Sequence, residues 1–170
     1  MTLEQVFLTE AADKLTENVD RIEACVPRLS EQFLWARESE NENAVGNLLL
    51  HLEGNVRQWI LSGIGGAPNA RHRPSEFSAR SGPAGSVLVA NLRAVVNDAV
   101  RVIRTLPPAR LADAVTIQGE DTTVLAAIFH VVEHFSGHTY QIILLTKRAT
   151  HEDLGFYDRL AETNEERRTE

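Results

Sequence analysis

A chain of 170 residues with 43% apolar and 24% charged side chains is long enough for one domain with a real core, and too balanced for a disordered segment. Its net charge of -7 argues against nucleic-acid binding, which rests on Lys and Arg neutralising phosphate. The single cysteine, Cys25, rules out an internal disulfide and a cysteine-based zinc site.

Residues 3–26 carry Leu3, Phe7, Ala11, Leu15, Val19, Ile22 and Val26, helix spacing that Pro27 stops. On the apolar face of that helix, Cys25 reads as core. The N-terminus lacks the basic and apolar regions of a secretory signal. No apolar run approaches the roughly 18 residues of a membrane span. The expectation is a cytoplasmic protein. Ser30 is a candidate N-cap for a short turn through Trp35. A second helix is expected over 43–64, with Leu48, Leu52, Asn55 and Trp59 on one face and Gly63, Gly65 and Gly66 closing it. Residues 65–85 are rich in Gly, Pro, Ser and Arg and read as a long loop. A third helix is expected over 86–105, capped by Ser86 and ended by Pro107-Pro108. Residues 113–119 favour a short extended piece or a hairpin. A fourth helix is expected over 123–147, capped by Asp121 or Thr122. The expected fold is all-α, a four-helix bundle in a single domain over 1–158, followed by a charged tail, 159–170, that reads as frayed.

The chemistry concentrates in His130-Val-Val-Glu-His134-Phe-Ser-Gly-His138. Side chains at i and i+4 share a helix face, about 6 Å apart along the axis. Two imidazoles at that spacing can grip one cation. His130 and His138 lie about 12 Å apart along the axis and cannot easily share it, so the pair is 130/134 or 134/138. His51, inside Leu48-Leu49-Leu50-His51-Leu52, is the candidate third ligand. A lone histidine on an apolar face is more often a satisfied core residue. Several buried together need partners, because unpaired imidazoles are costly to bury. The first pairing reads His-x-x-Glu-His, the zinc-peptidase pattern, a match of only three positions. Glu133 is rotated about 100° from His134 on the helix and is not a candidate base. His72 and His151, among charged neighbours, read as solvated.

Several stretches together resemble the DinB/YfiT-like superfamily of metal-binding four-helix bundles. They are Gly46-Asn-Leu-Leu-Leu-His51-Leu-Glu-Gly-Asn55-Val-Arg-Gln-Trp-Ile60, Arg71-His-Arg73-Pro-Ser-Glu76-Phe77, His130 through His138 with Thr-Tyr-Gln141-Ile142, and Lys147 with Asp153-Leu-Gly-Phe-Tyr157. The resemblance implies a bundle, often a homodimer, in which His51, His134 and His138 hold a divalent metal ion, leaving His130 as a neighbouring or structural group. It thereby selects the second pairing. Tyr140 departs from the usual glycine and, about 200° from His138, is expected on an outer surface. His72 departs from a usual acidic residue.

Three imidazoles with open positions suit catalysis more than a closed structural site. Zn, Ni, Fe or Mn would each fit such ligands. Asn55 and Gln141 are candidates to bond a ligand near the metal, or else to tie helices together. Relatives imply a thiol-dependent transferase using a low-molecular-weight thiol as co-substrate, or a hydrolase, acting on a small-molecule substrate. The rival is a non-catalytic metal- or ligand-binding protein on the same scaffold.

Overall fold

The apolar periodicity of the chain becomes four long helical elements in the computed structural model, which describes residues 1–158. The tail expected over 159–170 lies outside the described residues. Helix α1 spans Leu3–Cys25 and opens on a reciprocal cap, in which Thr2 Oγ1 accepts from Gln5 N and Gln5 Oε1 accepts from Thr2 N. Such caps contribute about 1 kcal/mol. A 3₁₀ turn, Val26–Arg28, carries Pro27. The short helix α2, Glu31–Leu34, is capped by Ser30.

Helix α3 runs over Val45–Val56 and continues as a π-helical segment, Arg57–Ser62. The wider turn shows in its bonds: Gly63 N donates to Gln58 O at 2.9 Å and Gly65 N to Ile60 O at 2.9 Å. π-helical turns recur beside functional sites because they re-aim side chains. Gly66, at φ +76, lets the chain turn so that Ala67 N reaches back to Leu61 O at 2.9 Å. The second helix thus starts two residues later than expected and changes type halfway.

The loop expected over 65–85 contains a further helix, α4, Arg73–Ser78, with Pro74 in its first turn. Helix α5 spans Gly85–Thr105. Its N-cap is Ala84, without a side-chain bond, rather than Ser86. After a 3₁₀ turn, Pro108–Ala112, strands β1 (Ala114–Ile117) and β2 (Glu120–Thr123) form an antiparallel hairpin. Its two turn residues, Gln118 and Gly119, have φ of 57° and 81°. Two successive positive φ values match the right-handed strand twist in a two-residue turn. Helix α6, Val124–Thr150, is capped by Thr123, which accepts from Ala126 N at 3.2 Å. The cap falls one residue beyond Thr122, because the second strand runs directly into the helix.

Helix α1 packs on α5 and α6, and α3 packs on the same two. The core lies between them, filled by Leu15, Val19, Ile22, Leu48, Leu52, Leu92, Val96, Ile128, Val131 and Phe135. Each fully buried side chain of this size contributes about 1.5–3 kcal/mol. Cys25 is fully buried there, and burial raises its thiol pKa. Tyr140 sits on the outer surface, where its hydroxyl accepts from Arg21 Nη1 at 3.0 Å. Among the described residues no helix is long and apolar enough to cross a membrane.

Candidate metal centre

His51 comes from α3 and His134 and His138 from successive turns of α6, where the two helices face each other. His51 Nε2 lies 3.0 Å from His134 Nε2, and His138 Nε2 lies 3.1 Å from the same atom. One ligand atom from each of the three lies within 4.8 Å of the other two. His51 is buried, and His134 and His138 are half-buried.

The far side of each ring decides which nitrogen carries a lone pair. His51 Nδ1 is 2.9 Å from Glu76 Oε2 on α4. A carboxylate only accepts, so Nδ1 carries the proton and Nε2 the lone pair. Arg71 Nη2 is also 3.1 Å from that Nδ1. Two donors cannot bond each other, however, and Nη2 donates to Glu76 Oε2 at 2.8 Å. His138 Nδ1 is 2.8 Å from Gln141 Oε1, an acceptor, so its lone pair also falls on Nε2. His134 Nδ1 is buried and has no partner among the described residues. Its own proton, if placed on Nε2, could serve one neighbour and not both. Three nitrogens therefore converge with at least one more lone pair than proton. A single cation satisfies all three. Tetrahedral Zn–N bonds of about 2.0–2.1 Å set ligand nitrogens about 3.3 Å apart, close to the two separations found.

Burial favours the neutral form of the two α6 rings, His134 and His138, the form ligation requires. The His134 pKa is pushed down to about 3, first by burial and then by the charges of His138, His51, His130 and Arg71. Burial also lowers that of His138, against the opposing bond from Gln141. Burial by itself would raise the Glu76 pKa. The Arg71 guanidinium and His51 overcome it and hold the carboxyl below its ordinary value.

The support behind His51 was not picked out from the sequence. Arg71 grips Glu76 through two bonds, Nε to Oε1 at 2.7 Å and Nη2 to Oε2 at 2.8 Å, and both side chains are nearly buried. Arg71 Nη1 also donates to Gln58 Oε1 at 3.0 Å, from the π-helical segment. The pair fits only because residue 54 is glycine. A Cβ there would collide with the Glu76 carboxylate and lie 2.9 Å from Arg71 Nε. The only sequence signal was the Arg71–Glu76 stretch, whose partner His51 is 20 or more residues away.

His130 stays outside the cluster, its ring lying against Trp59 at 4.3 Å between centroids and 5.5 Å from the His134 ring. Asn55 is buried, and its Oδ1 has no partner among the described residues. Gln141 stands behind His138 rather than beside the converging nitrogens. Glu133, His72 and His151 are exposed.

Fold and site together define a helical bundle in which three histidines can form a metal site. A family model described as "Protein of unknown function (DUF1572)" matches residues 2–157, and the chain belongs to that family. No curated protein matches the chain.

Proposed function

We propose that this protein binds one divalent metal ion through His51, His134 and His138, and is a DinB/YfiT-like metal-dependent enzyme acting on a small molecule. The observation that carries the reading is the convergence of three Nε2 atoms, two of which, on His51 and His138, bear lone pairs because their Nδ1 atoms are engaged by acceptors. A metal ion held by three neutral imidazoles supplies Lewis acidity to a bound water or thiol, through a position left open. Zn, Ni, Fe and Mn all suit imidazole. A thiol-dependent transferase is preferred to a hydrolase, with a low-molecular-weight thiol as co-substrate. The chain's own part is to orient and desolvate. Glu76 and Arg71 fix the plane and tautomer of His51, Gln141 does the same for His138, and Asn55 offers a buried carbonyl. The resemblance to the superfamily adds a homodimer, the net charge of -7 speaks against a nucleic-acid partner, and the lack of a long apolar run speaks against a membrane span.

One observation favours a non-catalytic metal- or ligand-binding protein instead. Glu76, the carboxylate nearest the site, is locked by Arg71 and His51, and Glu133 faces solvent, so neither serves as a general base. A thiol mechanism needs no such base once the thiolate is bound to metal. Anaerobic metal analysis followed by thermal-shift measurements with glutathione, coenzyme A, bacillithiol and mycothiol tests the reading. The expected result is metal-dependent stabilisation by a thiol. A chain that takes up no divalent ion refutes the proposal. One that binds metal but ignores every thiol removes the transferase.

A further inference from the structure

A cleft of about 540 Å³ lies between the 29–48 segment and the C-terminal half of α6, within the range of small-molecule sites, about 300–1,000 Å³. Its walls include Leu29, Phe33, Leu48, Leu144 and Leu145. Phe33 and Leu144 stand 51% and 59% exposed at its rim, apolar surface that the hydrocarbon part of a ligand would remove from water. The same cleft holds Arg37. One of its nitrogens, Nη2, donates to two neutral acceptors, Asn47 Oδ1 and Ala79 O, both at 2.8 Å. These bonds fix the guanidinium without compensating its charge. Among the described residues, Arg37 Nε is buried with no partner and Nη1 makes no bond. The two carboxylates of the cleft are engaged elsewhere, Glu38 with Arg148 and Glu42 with the backbone N–H of Glu38. Nη1 is the accessible donor: held in place by the Nη2 bonds, beside apolar walls and without a carboxylate on it among the described residues, it suits an oxyanion on an apolar body.

We propose that this cleft is a binding site for a small organic acid, with its carboxylate on Arg37 and its hydrocarbon part along Phe33, Leu144 and Leu145. The site goes beyond the metal-centre reading and does not depend on it. Two arginines and two glutamates line the cleft, which suits a monoanion better than a phosphate dianion. Gln141, whose Oε1 bonds His138 Nδ1, is on the same wall. An occupant therefore lies one side chain away from the histidine cluster, on the outer face of His138.

Calorimetric titration of the full chain with hexanoate, hexanamide and inorganic phosphate, each on chelator-treated and zinc-titrated protein, tests the proposal. Hexanoate is expected to bind about tenfold or more tightly than hexanamide, the worth of one charge-assisted contact, and more tightly than phosphate. Arg37→Gln should erase the preference for acid over amide. Because Arg37 also ties Asn47 to Ala79, a second variant, Leu144→Trp, fills the cleft from an exposed position. It should abolish hexanoate binding while zinc uptake is unchanged. Equal binding of acid and amide, tighter binding of phosphate, survival of binding in Leu144→Trp, or no binding of hexanoate each overturns the proposal. Hexanoate binding to a chain that takes up no zinc would sink the metal-centre reading alone.

Discussion

Removing Glu76 should separate what the carboxylate does for the fold from what it does for His51. In Glu76→Ala, Arg71 keeps only its bond to Gln58 and becomes a buried cation without a counter-charge; its side chain is 4% exposed. Breaking a buried pair from one side costs about 3–5 kcal/mol, out of a total of roughly 5–15 kcal/mol for a domain. For this size that lowers Tm by about 6–20 °C. His51 also loses the acceptor that holds its tautomer, and zinc affinity should fall about 10–100-fold. The double variant Arg71→Met with Glu76→Leu removes both charges and fills their volume. It should recover most of the stability, because apolar replacement of a buried pair is often neutral or better. Its zinc affinity should stay as low as in Glu76→Ala. Chemical denaturation of chelator-treated protein and competition titration with a zinc dye measure the two quantities. The reasoning is refuted if the double variant is no more stable than the single one, or if zinc affinity returns with stability.

Other consequences are as direct. His134, pushed down to about 3, takes up a proton less readily when folded than at its ordinary value of 6.5. The unfolded chain therefore binds more protons between those values, and stability rises with pH there. Chelator-treated protein should lose stability from about pH 6.5 toward 3, at up to about 1.4 kcal/mol per unit from this group. A His134→Gln variant should have a shallower profile, and equal profiles would contradict the assignment. Gly54→Ala should cost about 1–3 kcal/mol by overpacking against Glu76 and Arg71, read as a lower denaturation midpoint; an unchanged midpoint would show that the pair yields without cost. Sedimentation is expected to give twice the 18.9 kDa chain mass, and a species near 18.9 kDa at high concentration would reject the homodimer.

The long helices were legible because each carries an apolar stripe at helical spacing, as Leu88, Leu92, Val95, Val96, Ala99 and Ile103 do on α5. Helix α4 was not. It has six residues, of which only Phe77 is strongly apolar, and it is held by tertiary bonds from Asn47 and Arg71. The hairpin was legible only as one of two readings, an extended piece or a hairpin, and its register, fixed by the turn at Gln118–Gly119, was not. The histidine cluster was legible in part. Spacing pairs His134 equally with His130 and His138, and only the resemblance chose between them. In the structure Trp59 lies tilted against His130, while His138 turns its Nε2 toward His134. Gln141 behind His138 is a local contact within α6, but the partners behind His51 depend on how a loop folds back over α3, which no local pattern encodes.

Zinc titration of the chelator-treated protein and of four single variants, with stoichiometry and affinity read together, bears most directly on the centre. The wild-type chain is expected to bind one ion. His51→Ala, His134→Ala and His138→Ala should each lose most of the affinity, and His130→Ala should lose much less. If His130→Ala abolishes binding while His138→Ala leaves it intact, the assignment of ligands is contradicted.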